Sequence, residues 1–474
     1  MKKKKELRSF IDKLRKEWQI PGLAVGVVKE NQVLMADGFG YTDLDEEEEV
    51  TSETVFATGS CTKSFTTTSL AYLVDDGLLE WDKPVKEYIP SFKMADSVAT
   101  NRLTPRDLVT HISGLPGHDM VWFLSQIDSR EELVGRLEYL ELSKDIRQAY
   151  QYNNMLYAVA GHLVERLTDY SWEEHIEDKI FNPLQMDNAN LTEEAMVAGN
   201  YAHPHTISQG QVKEVPLYTY PAMGPCGAVN ASVTDMCKWL RFNINKGSYD
   251  GEQLISEDKL TELVIPRVYV DRPVGFNELS HFHGGMGWGI KYYRGHKSVG
   301  HYGGIDGFTA YTGFLPDDGI GIVLLMNSDI PENIKLIDLI TYRVYDLLLG
   351  LEEIDWYNRF KKMIESSVSS DQKKENPNIL KESEPAHRLN DYIGTYLNQG
   401  YGTIKIDKED DSLKMFTDRE KIELEHRYYD IFQFQIDKWN MVFPVNFKTD
   451  NDGQIKSLTI PLQYGVEDIK FSKK

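Results

Sequence analysis

The chain has 474 residues, 41% of them hydrophobic and 27% charged, with a net charge of −22. That length exceeds one ordinary core and the composition is globular, so two or three domains are expected. The acidic balance argues against nucleic acid as a main partner, because phosphate binding needs basic surface. Cys61, Cys226 and Cys237 have neither metal spacing nor the density of a disulfide framework.

The opening MKKKKELRSFIDKLRKEWQI has basic residues but lacks the apolar stretch and cleavage site of a signal peptide. Leu7, Phe10, Ile11, Leu14 and Trp18 recur at helical spacing, which predicts an amphipathic helix packed on the domain. A membrane-surface anchor is its rival. No segment has the ~18 apolar residues of a membrane span, so a cytoplasmic protein is expected. GLAVGVVKENQVLMADGFGY predicts two strands around a Lys-Glu-Asn turn, and DLDEEEEV a solvated loop.

Val55 to Gly77, VFATGSCTKSFTTTSLAYLVDDG, is the stretch the rest serves. An apolar run breaks at Gly59 and continues as a helix with Phe65, Leu70, Leu73 and Val74, ending at Gly77. Ser60 and Lys63 then share a helix face. A serine hydroxyl needs a base, and a lysine whose pKa is lowered by burial or charge can serve. Ser-x-x-Lys also occurs at Ser256–Lys259 and Ser370–Lys373, but only Ser60 opens an apolar helix after a glycine break. Cys61 reads as a small buried filler rather than a reactive thiol.

LTPRDLVTHISGLP predicts a helix capped by Thr104, with His111 as a satisfied structural histidine. Helices are predicted over Glu131–Leu142 and Met155–Thr168. Between them QYNN puts Tyr152 and Asn154 at or before a helix start, where Asn153 or Asn154 would cap. Residues 170–250 are predicted to continue helical, with WEEHIEDKIFNPLQM and ASVTDMCKWLRFNINKG as separate elements. WGIKYYRG, SVGHYGGIDGFTAYTGFLP and GIGIVLLMNSD then predict antiparallel strands, with ENIKLIDLITYRVYDLLLG as a closing helix. His301 in GHYGGIDG and His283 in HFHGGMGWG, a supporting loop, share the His-x-Gly spacing. After a helix from Trp356, SSDQKKENPNILKESEPAH reads as a linker. Eight short strands follow, as in a small antiparallel barrel.

The ordered set Ser60-x-x-Lys63, Tyr152-x-Asn154 and His301-x-Gly303 resembles the serine β-lactamase, penicillin-binding-protein and D-aminopeptidase superfamily, in its class C-like branch. The resemblance covers about residues 10–350, and the last eight strands resemble a lipocalin-like domain. It implies an α+β fold: an antiparallel sheet flanked by helices with a helical subdomain, then an eight-stranded barrel. The divisions expected are 1–355 for the hydrolase domain, 356–388 for helix and linker, and 389–474 for the barrel.

By the same resemblance Ser60 is the acylated nucleophile, Lys63 takes its proton and Tyr152 relays protons. Asn154 would bind the substrate amide, and the N–H groups of Ser60 and Gly304 would form the oxyanion hole beside Gly303. His301 stands where β-lactamases have the lysine of Lys-Thr-Gly, and no Lys-Ser/Thr-Gly occurs in this chain. A protonated His301 would hold a carboxylate less firmly than lysine, or else shuttle protons. The implied activity is a serine peptidase or esterase using no metal or organic cofactor. Its substrates would be small esters, amides or short peptides, including those with a D-residue. The alternatives are a weak β-lactamase or penicillin-binding carboxypeptidase, and a non-catalytic scaffold forming a homo-oligomer through the barrel.

Overall fold

A computed structural model describes residues 2–44, 47–208, 210–217, 219–368, 383–436 and 441–474. The Ser370–Lys373 pair and most of the predicted linker lie outside the described residues.

One antiparallel sheet is assembled from both ends of the first 350 residues. The strands Val268–Val270, Phe282–Gly284, Gly289–Tyr293, His296–Ile305, Phe308–Leu315 and Ile320–Met326 lie side by side. Gly22–Lys29, Gln32–Asp43 and Glu48–Glu49 continue the sheet. Leu23 faces Met326 and Lys29 faces Ile320 in the pairing that closes the two chain ends together. Side chains alternate across a strand, and here both faces are covered. Leu23, Val25 and Val27 point to one core, while Ala24 and Val28 point to the other. The strand therefore reads as one apolar run, each large aliphatic contributing about 1.5–3 kcal/mol when buried.

The first core lies under the helices Lys2–Glu17, Asn333–Leu349 and Trp356–Val368, with Leu7, Ile11 and Leu14 buried as the helical spacing predicted. The second lies under the helical subdomain, which includes Thr62–Asp75, Met155–Leu167 and Val233–Ile244. Gly26 permits the last of these to sit close, since a Cβ there would come within 2.5 Å of Cys237 Sγ.

Residues 170–250 form separate helices as expected but are not helical throughout. They contain a hairpin, His205–Ser208 with Gln211–Glu214, and the strand Asn230–Ser232 paired with Val55–Ala57. That last pairing spans a separation in sequence that local periodicity cannot register. HFHGG is also not a loop: Phe282–Gly284 pairs on both sides, so His283 sits in the sheet.

The eight predicted C-terminal strands all form, and they close into an antiparallel barrel from Gly394 to Lys473. Tyr396, Phe432, Phe443, Phe447 and Leu458 are buried in it. No described helix is long and apolar enough to cross a membrane.

Candidate active site

Ser60 lies in a 3-10 turn, Gly59–Cys61, leading directly into the Thr62–Asp75 helix. Two glycines let this turn lie against the strand His296–Ile305. A Cβ on Gly303 would come within 1.9 Å of Thr58 O, and one on Gly59 within 2.9 Å of Gly304 N. The strand's glycine-dense end is thus brought against the residue before the serine.

Lys63 is wholly buried, and its Nζ has three polar neighbours. Ser60 Oγ is 3.0 Å away, Asn154 Oδ1 2.8 Å and Cys226 O 3.0 Å. The Cys226 carbonyl is held in place because Thr66 Oγ1 donates to Pro225 O and the Val229 N–H donates to Thr62 Oγ1. Burial lowers the Lys63 pKa; the neighbouring Cys226 and Asp119 oppose this.

Tyr152 OH donates to Ser60 Oγ at 2.9 Å. Burial pushes its phenol above the ordinary tyrosine value, so it carries its proton. Its ring lies 4.4 Å from the ring of His111, centroid to centroid. His111 Nδ1 accepts from the Asn153 N–H at 3.1 Å and its carbonyl from the Gln151 N–H at 2.7 Å. It is the satisfied, neutral histidine expected, and burial drives its pKa well below 6.5. It also holds Tyr152 over the serine. Asn153, with Oδ1 accepting from the Leu156 N–H, is the capping residue of the two candidates.

Asn154 is committed on both sides. Its Oδ1 takes Lys63, and its Nδ2 donates to Asp119 Oδ1 at 3.0 Å. Asp119 escaped the sequence reading because its approach depends on a turn at His118 that carries no periodic signal.

His301 lines the same cavity as Ser60 and Tyr152, about 580 Å³ in volume. Its Nδ1 lies 2.6 Å from Tyr302 O, an acceptor, so Nδ1 holds the proton and Nε2 does not. Burial, followed by the charge of Lys63, lowers its pKa to about 3. A neutral ring with a bare Nε2 does not fit the expected protonated carboxylate holder. Arg272 and Lys335 are cavity-lining cations that sequence reading missed, and Arg272 is the more exposed. The Arg272 guanidinium lies 4.0 Å from the Phe282 ring centroid. Lys291 lines the cavity too but is engaged by Tyr342 OH and Asp338.

Of the rivals, Lys259 bonds Asp258 at the surface, and His283 packs its ring against Tyr269. Cys61 is buried, donates to His301 O, and has its thiol pushed up to about 12.

The beta-lactamase family model matches residues 7–343, most of the chain. The chain belongs to the beta-lactamase family. A second model, a domain of unknown function, matches residues 380–473 and so covers the barrel. Among curated relatives, an unguisins hydrolase of Aspergillus violaceofuscus is 28% identical, with 82% of this chain and 74% of that protein covered. Penicillin-binding protein 4 of Amycolatopsis lactamdurans is 26% identical, with 67% of this chain and 84% of the relative covered. An octameric penicillin-binding protein homologue from Pyrococcus abyssi shares the fold. Its TM-score is 0.65 at 22% identity, with 98% of this chain and 99% of that one covered.

Proposed function

We propose that this member of the beta-lactamase family is a serine hydrolase forming an acyl-enzyme on Ser60. The observation that carries the reading is the wholly buried Lys63 amine 3.0 Å from Ser60 Oγ, where burial lowers its pKa. A neutral amine has two N–H donors and one lone pair. Asn154 Oδ1 and Cys226 O can only accept, and they use both donors. As an ammonium Lys63 donates to Ser60 Oγ too; once deprotonated it turns its lone pair to the Ser60 O–H, while Tyr152 donates to Ser60 Oγ from the other side. Lys63 is then the base that takes the serine proton as Oγ attacks the carbonyl carbon.

Tyr152, next to both, passes that proton to the leaving group and later helps activate the deacylating water. The N–H groups of Ser60 and Gly304 receive the developing oxyanion, worth about 3 kcal/mol per donor. Asn154 fixes Lys63 rather than the substrate. Neutral His301 accepts an N–H or O–H from the substrate through Nε2. The cation that meets a substrate carboxylate is Arg272.

The substrates are small esters, amides or short peptides. The name of the Aspergillus relative supports hydrolysis as the reaction class. The missing Lys-Thr-Gly favours a peptidase or esterase over a β-lactamase. Two domains divided near residues 356–388 suit this reading, with catalysis in the first.

Intact-mass measurement after a fluorophosphonate, and separately after a penicillin, tests it alongside turnover of a p-nitrophenyl ester. Ser60→Ala should lose both the adduct and turnover, whereas Ser256→Ala keeps them. An adduct on another serine rejects the assignment, and a chain inert to every probe favours the scaffold.

A further inference from the structure

The segment Gly117–Ser125 joins the Ser60 site to the barrel. Asp119 Oδ1 accepts from Asn154 Nδ2 and from Trp122 Nε1, each at 3.0 Å. The residue before it, His118, has φ +46°. A side chain in that left-handed region is strained and persists only where surrounding contacts enforce it. The barrel supplies two of them, and Glu141 of the helical subdomain a third.

The His118 N–H donates to Gln463 Oε1 at 2.6 Å, from the loop between the last two barrel strands. The His118 side chain is wholly buried, with Nε2 2.9 Å from Glu141 O and Nδ1 2.6 Å from Tyr401 OH. A carbonyl only accepts, so Nε2 bears the proton and Nδ1 accepts from the Tyr401 hydroxyl. Burial lowers the ring's pKa, in keeping with that neutral form. Beyond Asp119, Ser125 Oγ donates to Tyr401 O at 2.8 Å, and Arg419 Nε donates to Ser125 O at 3.2 Å. The barrel therefore grips this segment on both sides of the carboxylate.

We propose that the C-terminal barrel is a positioning element for the hydrolytic site. Tyr401 and Gln463 fix the turn at His118, and through it the Asp119–Asn154–Lys63 chain. The inference rests on Lys63 being the base, as proposed above. Asp119 favours the ammonium form of Lys63, as do Cys226 and Cys61. His111 and His301 also face the lysine, as do the rings of Tyr152 and Tyr157. Of all these groups only Asp119 is held through the barrel. Loosening it should make Lys63 lose its proton at lower pH while also unsettling its geometry.

The test measures ester turnover against pH in the full-length chain. Tyr401→Phe keeps the ring and removes only the hydroxyl. It should lower kcat about 10- to 100-fold at little change in KM, and should move the acid limb of kcat/KM to lower pH. Gln463→Ala and Asp119→Asn should move that limb the same way. Tyr396→Phe, whose hydroxyl bonds Tyr392 O inside the barrel, should cost thermal stability and leave the limb in place. Where Tyr401→Phe does not fold, Gln463→Ala carries the test. An unmoved limb in the folded variants, or an equal shift in Tyr396→Phe, overturns the proposal. Turnover that survives Ser60→Ala would instead reject the hydrolase reading beneath it.

Discussion

At Lys63, desolvation and the surrounding polar groups act in opposite directions: burial penalises the ammonium, Cys226 and Asp119 favour it, and burial is the larger effect. A lowered lysine pKa makes the base available below the ordinary value of 10.5. The kcat/KM for a neutral ester should therefore rise through the depressed Lys63 pKa. No alkaline fall should follow until above pH 10, because Tyr152 is pushed the other way. Lys63→Met and Tyr152→Phe should each cut turnover by about 10²–10⁴-fold. Because both groups serve one proton path, the double variant should be much less than multiplicatively worse. The His301 pKa of about 3 has its own consequence. KM for a carboxylate-bearing substrate should stay flat as pH passes ~6.5, the ordinary histidine value. Arg272→Ala should raise that KM and spare neutral esters; a pH-dependent KM lost on His301→Ala would return the role to histidine.

Among the elements, the strand His296–Ile305 bears most directly on the nucleophile. Gly303→Ala would drive a Cβ into the Thr58 carbonyl, while the same change at Gly304 meets nothing within 4 Å. The first should cost about 1–3 kcal/mol of stability and displace Ser60; thermal unfolding should show the second near parental. Elements of this kind were legible in the sequence where pattern and punctuation agreed. All eight barrel strands announced themselves through short alternating runs between turns, and the Ser60 helix through its glycine break. What stayed hidden depends on contacts remote in sequence. Asn230–Ser232 is a strand only because Val55–Ala57 lies beside it. Asp119 belongs to the site only because His118 turns the chain into it. The carboxylate role expected of His301 was misplaced because burial, which sequence does not display, keeps that histidine neutral.

In the whole molecule, the barrel and the helical subdomain share one apolar core, and tight packing marks their border. A Cβ on Gly400 would come within 2.7 Å of Leu140 Cδ2. Polar contacts add to it, with Arg419 stacked 4.6 Å over the Tyr220 ring and the Glu467 N–H bonded to Glu141. A protease nick between about Ser367 and His387, where the sequence is polar and offers little to bury, should leave two fragments that co-elute. Separation into a soluble catalytic piece and a free barrel would show the border to be weak. The three thiols have a practical bearing on watching that border. Cys61 and Cys237 are pushed up to about 12 and Cys226 is raised as well. Alkylating reagents attack thiolates, so the native chain offers them little to react with. Tyr464, beside Gln463 and 96% exposed, is then an addressable point. A dye on Tyr464→Cys would report the seating of the barrel while an ester turns over.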